Sequence, residues 1–490
     1  MKQNRPDFLP ASCRETKQSP IIMLFLLMIT IVADVSGCTE STRAAGTTQP
    51  PDTIQRTDTT SAPGSGTVIV VDTLTRFQTM SGWEATSQAG QELPGFAQWA
   101  SPLMDAVVNV GINRVRLEVR PGWENPNDFF VPDRTGPYDM KLRCARLATV
   151  NDNADPNVIN PSGFHFGELD ESMTKVVLPM RDRLAARGEK LFLNLNYVAF
   201  LRQCQPAVYV HADPAEYAEF ILAAFSHLRS TYGVVPDAVE IILEPDNAGP
   251  PWNGYMIGRS IVATAARLSA AGFNPAFIAP SSMSLGNAIL YATEMFTIPG
   301  VRPHLRELSY HRYGITSPEA LASLANLAAS NGAGTAMLEH IGSDAENLYT
   351  DITVGQVSAW QQYTLGYNGA DNGGKYFAVG TGQPVMGERT RYLRQYFKYV
   401  RMGARRVKAE SREASIRPVA FQNTNGGLVV VMHVANPQQI QLQGLSAGTY
   451  GASATTKAAT GAELGDRTIV KGQSLSLNVS APGIVTVYRK

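Results

Sequence analysis

Little in this chain is suited to metal, nucleotide or polyanion chemistry. Four cysteines and seven histidines are spread over 490 residues, and neither set shows the close spacing that a metal site requires. Lys+Arg and Asp+Glu both number 42. No excess of either sign sets up a field to draw in nucleic acid or an anionic membrane. No glycine-rich phosphate fingerprint follows the first strand, which counts against a nucleotide-binding open sheet. The apolar run Ile21–Ala33 is shorter than the roughly 20 residues of a comfortable transmembrane helix. What remains, 44% hydrophobic and 17% charged, is the composition of a globular protein with a sizeable core. The length allows one large domain plus a smaller one, or three modest ones.

The amino terminus reads as a processing segment. Arg14 and Lys17 precede the apolar run, and Val35-Ser36-Gly37-Cys38 follows it. A basic stretch, a short apolar core and small residues before a cleavage point make a secretory signal. The "VSGC" ending resembles a bacterial lipobox, so residues 1–37 are expected to be a lipoprotein-type signal peptide with Cys38 as the lipidated residue. The alternative is a plain secretory signal. Cys13 leaves with the signal, and export permits a disulfide between the remaining Cys144 and Cys204. Residues 38–66, rich in Thr, Ser, Pro and Gly, cannot bury a core and read as a flexible tether. The expected location is the cell envelope, with membrane contact through the lipid anchor only, or else the medium.

Over residues 67–404 short apolar strands alternate with helical patterns. The strand candidates are Phe77–Glu84, Asn113–Arg120, Leu191–Val198, Val239–Glu244, Ala276–Pro280, Leu308–Tyr313, Thr335–Glu339 and Val357–Tyr363. Helices are expected at Pro94–Val110, Glu171–Arg187, Pro214–Tyr232, Gly254–Ala271, Pro318–Asn331 and Thr390–Val400, the third opened by Asp213 as N-cap and Pro214 at its first position. Eight strands in this alternation predict an α/β fold, a (β/α)8 TIM barrel, with a doubly wound sheet as the alternative. Residues 405–490 show short strands and turn formers without a helix, which predicts a C-terminal antiparallel β-sandwich domain. A strand over 67–76 precedes the barrel and could join that domain.

In a barrel, alternate strand residues face the lumen, and those at the carboxyl ends reach the active face. On the second strand this puts Arg114, Arg116, Glu118 and Arg120 inward, which calls for paired charges or a polar site. Asn194 and Asn196 share a face of the third strand; Glu240, Ile242 and Glu244 of the fourth; Ser309, His311 and Tyr313 of the sixth; Thr335, Met337 and Glu339 of the seventh. Glu240 and Glu118 are expected as lumen partners of the arginines. Glu244 and Glu339 both end strands and face one cavity. Two such carboxylates are what glycoside hydrolysis needs: one protonated to serve the leaving oxygen, one ionised to attack the anomeric carbon.

Several segments, in order, resemble family 30 glycoside hydrolases, the group of glucosylceramidases and glucuronoxylanases. They are Phe77-Gln78-Thr79-Met80-Ser81-Gly82-Trp83, "GINRVRLEV", "LEPDN", "LSYHRYG", "AMLEHIG", "VSAWQQYTL" and "YLRQYFKYVRMGARRV". "VAFQNTNGGLVVVMHVANP" is similar to the family's side domain. The resemblance runs from about Thr67 to Lys490. It implies a clan A retaining enzyme with Glu244 as acid/base and Glu339 as nucleophile. It also implies a sugar pocket using Arg116, His311, Tyr313 and Trp360, with Trp83 near its floor or rim. Clan A places an asparagine immediately before the acid/base, where it meets the sugar 2-hydroxyl; here Leu243 stands there. Asn196 or Asn247 is expected to supply that contact, unless the substrate differs at that position.

The resulting expectation is an exported glycosidase cleaving a carbohydrate, with a weak preference for β linkages, no metal or organic cofactor, and no nucleic-acid partner. The sequence leaves the oligomeric state open. The competing expectations are a surface lipoprotein that holds glycan without cleaving it, and a clan A hydrolase of another family. For His311 the alternative to sugar contact is a satisfied polar residue of the barrel; for Trp360 it is a core position.

Overall fold

A computed structural model describes residues 66–137, 139–200, 204, 209–380 and 382–490. The expected signal segment, the tether and the lipidation site Cys38 lie outside the described residues.

The first strand, β1 (Thr67–Thr79), belongs to the smaller domain. The barrel then follows as β2 (Gly82–Thr86), β3 (Arg114–Val119), β4 (Phe192–Tyr197), β5 (Ala238–Glu240), β6 (Ala276–Ser282), β7 (Leu305–His311), β8 (Gly334–Glu339) and β9 (Val357–Tyr367). Each strand pairs in parallel with the next, and β9 returns to both β2 and β8, which closes an eight-stranded barrel. Two short strands, β10 (Lys375–Ala378) and β11 (Val385–Met386), extend it beside β9. The proposed opening strand Phe77–Glu84 is thus two strands. The chain breaks at Met80-Ser81, where the Met80 N–H donates to Ala404 O and the Ser81 N–H to Ser358 O.

Outward residues such as Val115, Leu117, Leu193, Leu195 and Met337 pack under the helices in the main apolar core. The helix Pro214–Tyr232 begins as its cap predicts: the Asp213 side chain accepts from the Ala215 N–H. Inside, the amino end of the barrel is filled by an ionic group instead of an apolar plug. Arg114 reaches Glu84 at 2.5 Å and Glu307 at 3.0 Å, and Ser81 and Ser358 hydroxyls donate to Glu307. The inward charge expected on the second strand is there, with Glu118 paired to an arginine as expected and Glu240 bonded to an amide instead. Glu118 pairs with Arg120 at 2.8 Å, while Glu240 accepts from Asn194 at 2.7 Å.

The smaller domain is one continuous sheet of ten strands folded over its own apolar core. Its strands β12 (Arg405–Ser411) and β15 (Gln438–Gln443) flank β1, antiparallel and parallel respectively. The Arg467 side chain, at one end of the sheet, donates to Ser476 O on the strand at the other end, at 2.9 Å. Strand β14 (Leu428–Val434) is buried along its whole length. Val430 and Met432 enter the domain's own core, whereas Val429 and Val431 join the barrel's. That period of two welds the sheet to the last barrel helix, Glu388–Phe397. Tyr396 and His433 are hydrogen-bonded across this seam at 2.7 Å.

Candidate active site

The carboxyl ends of β5, β7 and β8 bring Glu244, His311 and Glu339 together. One carboxylate oxygen of each glutamate and one nitrogen of His311 all lie within 4.8 Å of one another. Glu244 is 6% exposed and Glu339 7%, so both look into a nearly dry site.

Simple alternation does not deliver either glutamate. On β8, Thr335 bonds outward to Gly355 O and Met337 packs under the helices, while Ala336 and Leu338 face the lumen. The register slips between Tyr310 and His311, pairing His311 with Glu339. This bulge at Leu338 turns Glu339 inward, against the parity expected for the strand. On the fourth strand, β5 ends at Glu240, and Glu244 is reached through a non-strand segment. Its backbone is left-handed, φ 45°, as is that of Ser281 beside it, φ 53°. Such backbones cost roughly 1–3 kcal/mol in residues with a side chain and gather at functional sites.

The two carboxyls have opposite surroundings. Arg116, fully buried, pairs through Nη2 with Glu339 Oε2 and donates from Nη1 to Leu338 O at 3.2 Å. The Tyr313 hydroxyl donates to Glu339 Oε1 at 3.1 Å. Burial disfavours the charge on Arg116, but Glu339 and Glu240 outweigh it and hold the guanidinium above its usual range. Among the described residues no cation is bonded to Glu244. Burial pushes its carboxyl up to about 7, despite a 3.0 Å bond from Asn247 Nδ2 to Oε2. His311 Nδ1 is 2.9 Å from Glu244 Oε1, and burial lowers that imidazole to about 4, so it is neutral at pH 7. One carboxyl is thus charge-paired, while the other carries a proton into the neutral range.

Glu244, His311 and Glu339 are the one group of three metal-ligand side chains among the described residues. Arg116 already places a positive charge on Glu339, and Glu244 is protonated near pH 7. A second cation there would compete with Arg116 for Glu339 and with the proton for Glu244.

Of the other expected sugar contacts, Asn196 lies in the lumen, fully buried, with both amide atoms unpartnered among the described residues. Leu243 is 4% exposed yet packs in none of the three apolar clusters. Asn247 is committed to Glu244, so Asn196 is the amide still unspent. Trp83 and Trp360 are corrections. Both point away from the cavity: Trp83 donates to Val400 O at 2.7 Å and stacks on Phe397 at 4.5 Å, and Trp360 donates to Asp351 at 2.9 Å. Each occupies the outward phase of its strand, under the helices. The residue that the sequence reading missed is Tyr363. Partly exposed, it lies in the field of Glu339, Glu118 and Arg116, and burial raises its hydroxyl above the usual range. It lies within a register shift in the pairing of β9 with β2, between the pairs Glu84–Gln361 and Thr86–Thr364, which carries no sequence signature.

Cys144 and Cys204 form a disulfide, Cα–Cα 5.1 Å, that ties the segment after β3 to the segment after β4. A chain of hydrogen bonds joins the same two segments: Glu124 to His211 at 2.6 Å, His211 to Tyr197 at 2.8 Å, and Tyr197 to Tyr209.

No family model matches the sequence, and no curated protein matches it. Solved structures do match in fold. The catalytic domain of a GH30 xylanase C from Talaromyces cellulolyticus superposes with TM-score 0.63 at 13% identity, over 86% of this chain and all of that one. A GH30 endoxylanase from Clostridium papyrosolvens gives 0.60 at 16%, over 86% and 99%. An endo-β1,6-glucanase gives 0.60 at 13%, over 87% and 96%. The structural neighbours of this chain are GH30 xylanases and related glycoside hydrolases, and what it shares with them is a barrel carrying a β-sheet side domain.

Proposed function

We propose that this protein is a retaining glycoside hydrolase acting on a β-linked oligo- or polysaccharide. The observation that carries the reading is the pair Glu244 and Glu339, with carboxylate oxygens within 4.8 Å and unlike surroundings. Retention calls for carboxyl groups about 5 Å apart, whereas inversion needs about 6.5–9.5 Å to admit a water. In the first step Glu339 attacks the anomeric carbon, and Glu244 gives its proton to the departing glycosidic oxygen. The products are a glycosyl-enzyme ester on Glu339 and a free hydroxyl on the leaving sugar. Glu244, now ionised, takes a proton from water, which displaces Glu339 and restores both groups. Arg116 and Tyr313 orient the nucleophile, and Asn247 and His311 orient the acid.

The titles of the neighbours, xylanases and a β1,6-glucanase, make β-xylosides and β-glucosides the substrates to try first. The arginines near the site are spent on internal pairs, Arg116 on Glu339 and Arg120 on Glu118 and Glu168, which favours a neutral sugar over a uronate. The amino-terminal segment adds export to the reading, with Cys38 as anchor.

The test is turnover of aryl β-xylosides, aryl β-glucosides, xylan and β-glucan, with Glu339→Gln as control. Turnover by the native chain that the variant loses is expected. Glycan binding with no product would favour a non-catalytic receptor, and undiminished activity of Glu339→Gln would remove Glu339 from the mechanism.

A further inference from the structure

Between Glu240 and Glu244 the barrel's fourth strand loses register. The Asp237 N–H donates to Leu193 O at 2.8 Å, and continued parallel pairing would bring the Ile241 N–H to Tyr197 O. Tyr197 O instead receives the Leu243 N–H, at 2.8 Å, so two residues are looped out on the β4 side. The Ile241 N–H turns to the other neighbour, Ile278 O, at 3.2 Å. The Ile241 carbonyl accepts the Tyr217 hydroxyl at 2.6 Å. Just past this loop-out comes left-handed Glu244, its N–H on Ser281 O at 3.0 Å.

A break in a ladder persists only when the freed backbone groups find partners elsewhere. Tyr217 is fully buried on the helix Pro214–Tyr232, on the outer side of the barrel wall. Tyr197 and Trp252 pack edge-on against its ring at 5.1 and 5.7 Å, which leaves its hydroxyl little freedom. Without that bond the buried Ile241 carbonyl would be better satisfied by a regular ladder. Regular pairing would straighten the segment and draw Glu244 away from Glu339.

We propose that Tyr217 is a positioning residue: by holding the Ile241 carbonyl it maintains the looped-out turn that presents the Glu244 carboxyl to the cavity. This rests on the reading of Glu244 as acid/base.

The test compares the native chain with Tyr217→Phe, which removes one oxygen and keeps the ring, and with Tyr217→Leu, which removes the ring packing too. Two aryl glycosides separate acid catalysis from the rest, because a phenol leaving group needs a proton and a dinitrophenol does not. Tyr217→Phe is expected to lose roughly tenfold in kcat/KM on the phenyl glycoside and to keep its kcat/KM on the dinitrophenyl one, which reports the first step alone. The Glu244 carboxyl, titrated by infrared difference against Glu244→Gln, is expected to move down as it becomes better hydrated. Equal losses on both substrates, or an unmoved titration, would reduce Tyr217 to a packing residue. The titration needs no turnover. A native chain that cleaves neither glycoside, with the titration still shifted in Tyr217→Phe, would sink the glycosidase reading and support the positioning role.

Discussion

Glu244 and Glu339 present carboxylate oxygens within 4.8 Å of each other, yet only Glu339 is paired with a buried arginine. Two identical side chains at that distance are set apart by their neighbours. Arg116 and Tyr313 hold one, and burial with Asn247 and His311 holds the other.

This division predicts the pH profile. Glu244 must be protonated to act as acid, and burial holds it at about 7. Activity should therefore fall above about pH 7, and Glu244→Gln should lose roughly 10²–10⁴-fold on substrates with poor leaving groups. A rate that stays level to pH 9 in the native chain would contradict the assignment.

Stability should follow the same groups. Burial raises Glu240 and Glu244 to about 7 from an ordinary value of 4.5, so folding favours their neutral forms. Their contribution is whole below about pH 4.5 and is lost as pH rises through 7. Glu168 and Glu346 run the other way. Against its burial, Arg120 and Arg146 hold Glu168 at about 2, and hydrogen bonding to His433 and Arg417 does so for Glu346. Their contribution is present above 4.5 and lost as pH falls toward 2. His311 and His340, lowered by burial to about 4 from 6.5, oppose the loss from Glu240 and Glu244 between those values, so Tm should decline from about pH 6.5 to pH 8; a steady rise over that interval would be the opposite result.

The ionic filling of the barrel's amino end makes Arg114 a stability residue. Arg114→Met would leave Glu84 and Glu307 buried without their cation, at a cost of about 3–5 kcal/mol in urea unfolding. A loss under about 1 kcal/mol would show that the two carboxyls find other partners.

Trp360 is predicted to matter for folding and not for substrate. Its indole is one of three donors to the buried Asp351, beside Tyr310 and Arg312. Trp360→Phe should cost about 1–2 kcal/mol of stability and leave KM unchanged. A raised KM with native stability would return it to the sugar pocket.

The barrel was legible because its physics is periodic. Strands such as Arg114–Val119 and Phe192–Tyr197 obey their alternation, and the helix Pro214–Tyr232 begins and ends where its capping residues and Gly233 put it. The site was legible in its residues and not in its geometry. Glu339 faces inward through a bulge, Glu244 through a looped-out, left-handed segment, and neither device has a residue signature that a period of two reveals. The resemblance, and not the alternation, put Trp83 and Trp360 in the cavity, while a register shift hid Tyr363.

The central claim is retention by two closely spaced glutamates. It is tested most directly by ¹H NMR of the first sugar released from an aryl β-glycoside, recorded before mutarotation. The account predicts the β anomer. The α anomer would mean direct attack by water, and would contradict Glu339 as nucleophile.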